Sequence, residues 1–442
     1  MSSLIFTNIS QLVTASGCAP KFGSHMNDIE IIDNGCVVTE DNIIIWVGTM
    51  EEFGNSDYYH SFKVGSAIQE SISKDNEYDV KGKISENITI IDCLGKTLLP
   101  GFVDSHTHFV FGGYREDEYA MRLNGAGYMD IMNAGGGIAS SVEATRNASF
   151  EELMVVGKSR LDDMIQMGIT TVEGKSGYGL DLETELKQLN VMKELNQAHE
   201  VDIVPTFLGA HSVPKEYKGR PNDFIEYMVN DVLPEVAKLD LAEFADIFCE
   251  KNVFDISESK FYLQRAKELG FKLKLHADEI VNIGGTELAA ELGATSADHL
   301  LVASEAGLKA IKESGTIATL LPITAFSLKE EFAKAREMID GGLAVALATD
   351  FNPGSCFSQS IPLLIALAAL QMKMTAKEIV CALTINGACA IDKQESIGSI
   401  EVGKKADLVC LKFPSIDYLP YHIGMNIVEV VVKNGDLVVD NR

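Results

Sequence analysis

The spacing of apolar and polar positions differs between the two ends of the chain and its middle. Near the N-terminus, residues 4–9 and 43–47 are short apolar runs, and turn residues at 33–35 and 40–42 interrupt this region. Such spacing is typical of strands and turns. Strand patterns return near the C-terminus, where we predict strands at 397–400, 407–411, 427–433 and 436–439. We expect the two β segments to pack together and to complete each other's sheets.

The middle of the chain alternates between strand and helix patterns. We predict eight strands there, at 102–105, 169–173, 201–208, 245–249, 271–276, 295–298, 316–321 and 343–349. Helices are predicted after them, at 151–167, 182–198, 224–237, 259–269, 285–292, 305–313, 329–340 and 360–372. Eight strand–helix pairs are the outline of a (β/α)8 barrel, although a doubly wound open sheet gives a similar local pattern.

These elements divide the chain into a large α/β unit and a smaller β unit. We expect a TIM-like barrel at residues 97–393. Residues 1–96 and 394–442 are expected to form a small β-sandwich domain from both ends of the chain. Residues 55–87 contain few large aliphatic side chains and many Ser, Lys, Asp and Glu, which predicts a polar surface insertion.

Composition and charge restrict the possible partners. The 442 residues include 37 Lys and Arg against 64 Asp and Glu, a net charge of −27. Such an acidic protein repels phosphate backbones, so we expect no nucleic-acid partner. No uncharged apolar run reaches about 18 residues, so we expect no membrane span. The first residues lack a signal-peptide pattern and the eight cysteines are widely separated, so we expect a cytoplasmic protein with reduced thiols, not a secreted disulfide scaffold.

Two histidines follow the first predicted barrel strand, in Pro100-Gly-Phe-Val-Asp-Ser-His106-Thr-His108. Side chains alternate along a strand, so both imidazoles point the same way, about 7 Å apart along the strand. At that distance they can bind one ion. The same pattern also fits two packed histidines at a strand end, and the spacing alone does not decide between the two interpretations.

Two further side chains end predicted barrel strands, His276 on the fifth and Asp350 on the eighth. In a barrel, the C-terminal ends of all strands face one mouth, so these two residues can meet His106 and His108 there. Three imidazoles and one carboxylate suit Zn²⁺ or Fe²⁺, with a water molecule in the open position. The sequence therefore predicts one divalent metal ion at the mouth of the barrel.

The fifth predicted strand also contains two lysines. If its side chains alternate regularly, Lys272 and Lys274 share the face of His276 and point into the barrel. A lysine inside a barrel requires a charged partner. We therefore expect either a β-bulge or an internal ion pair on this strand.

Two residues near the predicted ligands are candidates for proton transfer. Glu279 lies three residues after His276, within reach of a water held by the metal. A metal lowers the pKa of such a water toward ~7, and a carboxylate can then take its proton. His299 closes the sixth strand and can donate to a developing oxyanion or to a leaving nitrogen. The alternatives are a carboxylate that stabilises a helix start and a packed strand-end histidine.

Two other signals do not carry chemistry. The segment from Gly168 to Ser176 is similar to a P-loop, but five residues separate its glycines instead of four and the segment between them is an apolar strand. Cys356 lies near the predicted site without a histidine beside it in the sequence to activate it. We interpret the first as a barrel strand and the second as a packing residue.

Several motifs together resemble the imidazolonepropionases, a family of metal-dependent amidohydrolases, over nearly the whole chain. The general marks of the superfamily are the segment 100–108 and the tail Gly398-Ser-Ile-Glu-Val-Gly403-Lys-Lys-Ala-Asp407. More specific are Thr171-Val-Glu-Gly-Lys-Ser-Gly-Tyr178-Gly-Leu, Leu208-Gly-Ala-His211-Ser-Val-Pro, His276-Ala-Asp-Glu279 and Thr349-Asp350-Phe-Asn352-Pro-Gly354-Ser355. The polar stretch at 55–87 is longer than this family leads us to expect.

The resemblance implies hydrolysis of 4-imidazolone-5-propanoate to N-formimidoyl-L-glutamate, a step in histidine degradation. It implies one divalent metal ion per chain, Zn or Fe, on His106, His108, His276 and Asp350, with Glu279 and His299 acting on the water and the ring. It also implies that the substrate is held by Arg115, Tyr178, His211, Glu279, Asn352, Gly354 and Ser355. The guanidinium of Arg115 suits the propionate carboxylate. A homodimer is expected from the family alone.

Two competing interpretations stay open. One is a different amidohydrolase, such as another cyclic-amide hydrolase, a ring deaminase or a two-metal lactamase. Two-metal members use a modified lysine on the fourth strand, and Lys251 follows that strand here. We favour an ion pair at the rim for Lys251, because Glu279 fits the one-metal pattern. The other interpretation is a non-catalytic scaffold of the same fold, which the presence of all four ligand positions disfavours.

Overall fold

The computed structural model describes residues 2–61, 81–85, 88–125 and 136–442. Most of the polar insertion predicted at 55–87 lies outside the described residues. In the described part of the chain the strands are β1 (Ser3–Val13), β2 (Ile31–Glu40), β3 (Ile43–Thr49), β4 (Lys81–Ser85), β5 (Ile88–Pro100), β6 (Phe102–Asp104), β7 (Ile169–Lys175), β8 (Asp202–Ala210), β9 (Phe244–Cys249), β10 (Lys272–Ala277), β11 (Ser296–His299), β12 (Ile317–Leu320), β13 (Val345–Leu347), β14 (Leu408–Leu411), β15 (Val428–Lys433) and β16 (Asp436–Asp440).

The helices lie mostly between the strands of the barrel. In chain order they are α1 (Met50–Gly54), α2 (Asp57–Ser61), α3 (Glu116–Leu123), α4 (Ile138–Asn147), α5 (Phe150–Ile165), α6 (Leu182–Ala198), α7 (Pro221–Tyr227), α8 (Leu233–Lys238), α9 (Ile256–Glu268), α10 (Gly285–Leu292), α11 (Glu305–Ser314), α12 (Pro322–Leu328), α13 (Ala335–Asp340), α14 (Ile361–Leu370), α15 (Ala376–Leu383), α16 (Ile385–Ala390) and α17 (Tyr418–Tyr421). Within the described ranges, two short 3₁₀ helices cover Gly23–Asn27 and Lys215–Tyr217, and one π-helical turn covers Met228–Val232.

Eight parallel strands, β6 to β13, form the barrel, each paired with its neighbour in sequence order. Two hydrogen bonds connect its first and last strands just beyond their ends. The backbone N–H of Asp350 donates to the carbonyl of His106 at 3.0 Å, and that of His108 donates to the carbonyl of Phe351 at 2.9 Å. The eight predicted barrel strands are confirmed, and these links between the outer strands rule out the open-sheet alternative.

The two ends of the chain form a second sheet, as expected. Its strands lie in the order β16-β15-β14-β5-β1-β2-β3, with β4 paired to β5. The long strand β5 holds the N- and C-terminal segments together, because it pairs parallel to β1 and antiparallel to β14. Residue Gly101 alone separates β5 from the first barrel strand, so the second sheet is attached directly to the base of the barrel.

Two predictions for the terminal segments are wrong. The turn predicted at 33–35 lies inside β2, where Asn34 has a φ of 51° and the pairing with β1 shifts register between Phe6 and Ile9. The polar residues therefore mark an irregular strand and not a chain reversal. The segment predicted as a strand at 397–400 bends at 397–399 instead, and Gly398 has a φ of 84°, which is incompatible with an extended strand.

Two predicted helices are interrupted. The helix predicted at 224–237 consists of α7 and α8, which are joined by the π-helical turn at Met228–Val232. Pro234 lies in the first turn of α8. The helix predicted at 329–340 is wrong in its first half: α12 ends before Lys329, whose φ is 61°, and α13 begins only at Ala335. At the start of α5, Ser149 and Glu152 form an N-terminal capping box.

The main hydrophobic core lies between the barrel strands and the surrounding helices, and a second, smaller core fills one face of the terminal sheet. No helix in the described part of the chain combines the length and apolar character needed to cross a bilayer. All eight cysteines are free thiols, and only Cys18 is exposed.

Candidate metal centre and active site

The barrel topology brings the predicted metal ligands together at the C-terminal mouth. His106 and His108 follow β6, His276 lies near the end of β10, and Asp350 follows β13. One ring nitrogen from each histidine lies within 4.8 Å of the others. Oδ1 of Asp350 is 3.5 Å from Nε2 of both His106 and His108. The four side chains are almost completely buried.

The position of Asp350 follows from the way the barrel closes. Its N–H is bonded to the carbonyl of His106, so the two side chains are neighbours across the closing edge. Asp350 has a φ of 53°, in the left-handed region, which turns its carboxylate away from the strand direction and toward the histidines. Thr324 donates a hydrogen bond of 2.6 Å to the second oxygen, Oδ2, and leaves Oδ1 facing the imidazoles.

The donor set fits a divalent cation. Nε2 of His106 is buried, and no hydrogen bond to it is found among the described residues. Burial lowers the pKa values of His106 and His108 well below the usual value, so both rings are neutral, as metal ligands must be. Three imidazole nitrogens and one carboxylate oxygen suit Zn²⁺ or Fe²⁺.

Two carboxylates beneath the cluster fix the imidazole rings. Nδ1 of His106 lies 2.6 Å from Oδ2 of Asp298, and Nδ1 of His276 lies 2.9 Å from Oδ2 of Asp246. At His106 the contact is a hydrogen bond, and a carboxylate that accepts the Nδ1 proton leaves the Nε2 lone pair free for a metal. At His276 the contact is an ion pair, and Oδ1 of Asp246 accepts the backbone N–H of His276 at 3.2 Å. For His276, burial opposes the charged form, but Asp246 outweighs it and raises the pKa of the ring. A cation at Nε2 of His276 would replace that proton.

Glu279 and His299 lie together beside the donor set. Oε1 of Glu279 is 3.6 Å from Nδ1 of His299, and the His299 ring centroid is 5.2 Å from that of His276. Burial and the neighbouring charge of Asp350 raise the pKa of Glu279 to about 8. A carboxylate with a pKa in this range can both accept and return a proton near neutral pH. A nitrogen of His299 also lies within 4.8 Å of the His106 and Asp350 donor atoms, so it faces the same space.

Two expected substrate residues line the wall next to His108. The ring of His211 stacks on that of His108 with centroids 5.1 Å apart and an interplanar angle of 17°. The ring of Tyr178 lies 5.9 Å from His108 and 5.3 Å from His211. Nδ1 of His211 contacts the Gly177 carbonyl at 3.1 Å, and burial lowers its pKa to about 3. The ring is therefore neutral and leaves Nε2 for another partner.

The other expected substrate residues are already engaged with the protein. Arg115 donates two hydrogen bonds to Oε2 of Glu118, at 2.9 and 2.6 Å. Its guanidinium lies against Gly354, where an added Cβ would lie 2.1 Å from Nη1 and would force the arginine side chain to shift. Oδ1 of Asn352 accepts the N–H groups of Gly354 and Ser355, both at 2.8 Å. Asn352 therefore shapes the turn that carries these residues.

The comparison with known sequences identifies the family. The sequence profile of the amidohydrolase family matches residues 97–438. Over 436 residues the chain is 55% identical to a protein of Clostridium tetani named imidazolonepropionase, an alignment that covers 99% of this chain and 98% of that one. The chain therefore belongs to the imidazolonepropionase family of amidohydrolases.

Solved structures similar to this amidohydrolase support the fold. A triazine hydrolase from Arthobacter aurescens has a TM-score of 0.70 at 15% identity, over 100% of this chain and 95% of that one. An adenosine deaminase from Xanthomonas campestris, solved with bound zinc, has a TM-score of 0.67 at 16% identity, over 100% of this chain and 94% of that one. At these identities the likeness extends to the fold only.

The amidohydrolase barrel also contains a buried ionic cluster that the sequence analysis did not assign. Lys274, one of the two lysines of β10, is buried and lies 2.8 Å from Glu173, so the expected internal ion pair is present. Lys272 instead is exposed and contacts Asp392 at 2.5 Å. Lys175 of β7 is buried between Glu173 and Asp246. Two of these charges, Glu173 and Lys175, belong to the segment from Gly168 to Ser176 that is only superficially similar to a P-loop. Charged residues within a predicted barrel strand were the feature of the sequence that could have indicated this cluster.

The structure also shows the surroundings of Lys251, Cys356 and Arg122. Lys251 is exposed, and its backbone N–H bonds to Glu250. Cys356 is buried, donates to the Thr349 carbonyl at 3.2 Å, and has a pKa raised by burial. Its surroundings are those of a packing residue. Arg122, missed in the sequence, donates to the Gly354 carbonyl at 2.9 Å and holds the same turn as Asn352.

Proposed function

We propose that this amidohydrolase hydrolyses 4-imidazolone-5-propanoate to N-formimidoyl-L-glutamate, as part of histidine degradation. The name of the relative at 55% identity supports the substrate. The observation that carries the chemistry is the convergence of His106, His108, His276 and Asp350 beside the Glu279–His299 pair at one mouth of the barrel. Such a constellation suits hydrolysis of a cyclic amide.

In this proposal, one divalent ion is held by His106, His108, His276 and Asp350. When bound, the ion supplies Lewis acidity, which makes water acidic enough to lose a proton near neutral pH. The donor set does not discriminate strongly between zinc and iron. We propose zinc as the first metal to test, because three nitrogens and one carboxylate oxygen are common zinc ligands.

Glu279 and His299 carry the protons. The Glu279 carboxylate accepts a proton from the attacking water, whose oxygen adds to the ring carbonyl. The ring C–N bond then opens, and the nitrogen takes up the proton that Glu279 holds, either directly or by a relay in which His299 gives its ring proton and receives that of Glu279. Burial lowers the pKa of His299 well below its usual value, so it is neutral at rest and acts first as a hydrogen-bond donor to the developing oxyanion.

Three side chains are proposed to hold the substrate. Tyr178 and His211 lie beside His108, where they can bond the ring or its polar substituents. Arg115 is proposed to bind the propionate, because its planar guanidinium can accommodate a second carboxylate beside Glu118. Asn352, Gly354 and Ser355 act mainly through the turn they form against Arg115.

The decisive experiment measures turnover of imidazolonepropionate by the purified protein, with formimidoylglutamate as the detected product. We expect activity that a chelator removes and that added Zn²⁺ or Fe²⁺ restores. Glu279→Gln should retain its metal and lose about 10²–10⁴-fold in kcat. Glu291→Gln, on the exposed outer surface, is the matched control and should retain full activity. Normal turnover by a metal-loaded Glu279→Gln variant would contradict the role of Glu279.

We further propose a cytoplasmic homodimer. The free thiols support the compartment, since such cysteines persist in a reducing environment. The dimer rests on the family resemblance alone. Light scattering on the full chain tests it, and a mass near the chain mass of 48.0 kDa would contradict it.

A further inference from the structure

Five buried charges form one connected cluster inside the barrel, below the proposed metal ligands. This inner cluster consists of Glu173, Lys175, Asp246, Lys274 and Asp298, whose side chains are all fully buried. Three are carboxylates and two are ammonium groups. Burial of such charges is tolerated only when each has close partners of opposite sign.

Lys175 has a special position in the inner cluster. Its Nζ lies 2.8 Å from Oδ2 of Asp246 and 3.5 Å from Oδ2 of Asp298. These are the same oxygen atoms that contact Nδ1 of His276 and of His106. One ammonium group on β7 therefore contacts both carboxylates that orient metal-binding imidazoles, although those imidazoles belong to different strands.

The second lysine of the inner cluster makes different contacts. Nζ of Lys274 lies 2.8 Å from Oε2 of Glu173 and donates to the Ser105 carbonyl at 3.0 Å. Glu173 also lies 3.1 Å from Lys175 and accepts a hydrogen bond from Thr206. Glu173 thus links the two lysines, whereas Lys175 alone makes the contacts to Asp246 and Asp298.

The charge environment agrees with this arrangement. Burial alone would lower the pKa of Lys175, but Asp246, Glu173 and Asp298 together raise it above its usual value. The ammonium form is therefore held firmly. A fixed charge between the two carboxylates keeps both oriented as acceptors and prevents them from turning apart through mutual repulsion.

We propose that Lys175 is a positioning residue for the metal centre, holding Asp246 and Asp298 so that the Nε2 atoms of His276 and His106 face the same point. This inference rests on the metal site of the proposed function. Lys175 acts through two carboxylates and does not itself contact the substrate space. Because support of this kind typically changes metal affinity about 10–100-fold, its loss should weaken metal binding within that range.

The test compares Zn²⁺ affinity of the full-length wild type and of Lys175→Met, measured by competition with a chromophoric chelator. We expect the dissociation constant to rise at least tenfold in the variant. The absorption spectrum of the Co²⁺-substituted protein is a second readout, and it should change as the ligand geometry loosens. Lys272→Met is the matched control: this exposed lysine of β10 contacts Asp392 and Glu243, outside the inner cluster, and its loss should leave both readouts unchanged.

A double variant separates positioning from simple charge balance. Lys175→Met alone leaves three buried carboxylates with one ammonium, which endangers folding. Lys175→Met with Glu173→Gln restores the original net charge of the inner cluster while Asp246 and Asp298 still lack their ammonium partner. The proposal predicts a folded protein, by circular dichroism, with Zn²⁺ affinity still reduced at least tenfold and an altered Co²⁺ spectrum.

The outcomes are distinct. A wild type that binds neither Zn²⁺ nor Co²⁺ contradicts the proposed function and, with it, this inference. A wild type that binds while Lys175→Met binds equally tightly contradicts the inference alone, as does full recovery in the double variant. If neither variant folds, Lys175 is required for the fold as a whole, and the assignment to the metal centre is overturned.

Discussion

The barrel has two clusters of lysine and carboxylate side chains, one fully buried inside it and one partly exposed where it meets the terminal sheet. The inner cluster contacts the imidazoles of the proposed metal centre. The second, here called the junction cluster, consists of Asp202, Lys405, Asp407 and Lys433, where the start of β8 meets the terminal sheet. Lys433 lies 2.8 Å from Asp202 and 2.7 Å from Asp407. The lysine–carboxylate distances are similar in the two clusters. The role of each cluster therefore depends on the residues that surround it and not on its composition.

The comparison assigns function to one cluster and attachment of the terminal sheet to the other. The carboxylates of the inner cluster have a second partner in His106 or His276. The carboxylates of the junction cluster contact lysines, and Asp407 also accepts a hydrogen bond from the backbone N–H of Asn434. Changes in the inner cluster should therefore alter metal binding, and changes in the junction cluster should alter stability alone.

Metal removal should have the largest effect. We expect prolonged dialysis against a chelator to reduce turnover of imidazolonepropionate to background, because the water then loses its Lewis acid. Zn²⁺ or Fe²⁺ should restore it. Chelation followed by addition of Zn²⁺ or Fe²⁺ should remove and restore the turnover of a Lys433→Met variant to the same extent as that of the wild type. Activity that persists in protein shown by elemental analysis to be free of metal would contradict the proposed chemistry.

The pH dependence of stability should have opposite signs at the two places. In the metal-free protein, burial and Asp350 raise the pKa of Glu279 to about 8, from about 4.3 when unfolded. A raised folded pKa contributes stability below about pH 4 that is lost as pH rises through about 8. When the metal has been removed from both proteins, Glu279→Gln should therefore have a larger free energy of unfolding than wild type between pH 5 and 9. The difference should be a few kcal/mol, because each pKa unit corresponds to about 1.4 kcal/mol.

The junction cluster provides the contrast for this measurement. Burial would raise the pKa of Asp202, but Lys433 and Lys405 outweigh it and hold that pKa below its usual value. Its contribution is present above about pH 4 and is lost as the pH falls further. Urea unfolding of the chelated proteins at each pH tests both signs. Parallel stability curves for wild type and Glu279→Gln from pH 5 to 9 would show that the Glu279 pKa is not raised.

Removal of a single carboxylate charge from the inner cluster should weaken metal binding. Asp298→Asn keeps the shape of the side chain that contacts Nδ1 of His106 at 2.6 Å but removes its charge. We expect the Zn²⁺ dissociation constant to rise about 10–100-fold, equivalent to about 1.4–2.7 kcal/mol. Calorimetry or chelator competition measures it. Asp407→Asn, the corresponding change in the junction cluster, should leave the Zn²⁺ affinity as in wild type.

The sequence was sufficient to predict the barrel and to predict that the four candidate ligands lie at one mouth of it, because both follow from local periodicity and topology. It was not sufficient for the partners of those ligands. Asp246 and Asp298 lie within buried strands, and no local pattern distinguishes a carboxylate that orients an imidazole from one that forms a structural ion pair. Lys274 was detectable through strand alternation, but its partner Glu173 is 101 residues away. Long-range pairings of this kind are set by three-dimensional packing.

The terminal sheet shows a similar division. Its apolar runs predict most of its strands, but they do not predict β5, and the turn predicted at 33–35 is wrong. Both errors have the same cause. Polar residues or glycines interrupt the apolar pattern of these strands, while hydrogen bonds to the adjacent strands keep them in the sheet. The pairing of β1 with both β2 and β5 shifts register, and each shift accommodates such an interruption.

The smallest expected effect is the loss of stability when the junction cluster is broken. Lys433 is 1% exposed and contacts two carboxylates, so Lys433→Met leaves Asp202 and Asp407 without that partner. Fully buried pairs cost about 3–5 kcal/mol to break, but Asp202 is 30% exposed, and water can partly replace the lysine. We expect a loss of about 1–2 kcal/mol in the free energy of unfolding, measured in urea.

Lys405→Met is the matched control for this variant. Lys405 contacts the same Asp202 oxygen at 2.7 Å, but it is 33% exposed, so its loss should cost less than about 1 kcal/mol. Neither variant should change the Zn²⁺ dissociation constant. If Lys433→Met weakened Zn²⁺ binding as much as Asp298→Asn, the two clusters would be energetically coupled through the barrel, and their assignment to separate tasks would be wrong.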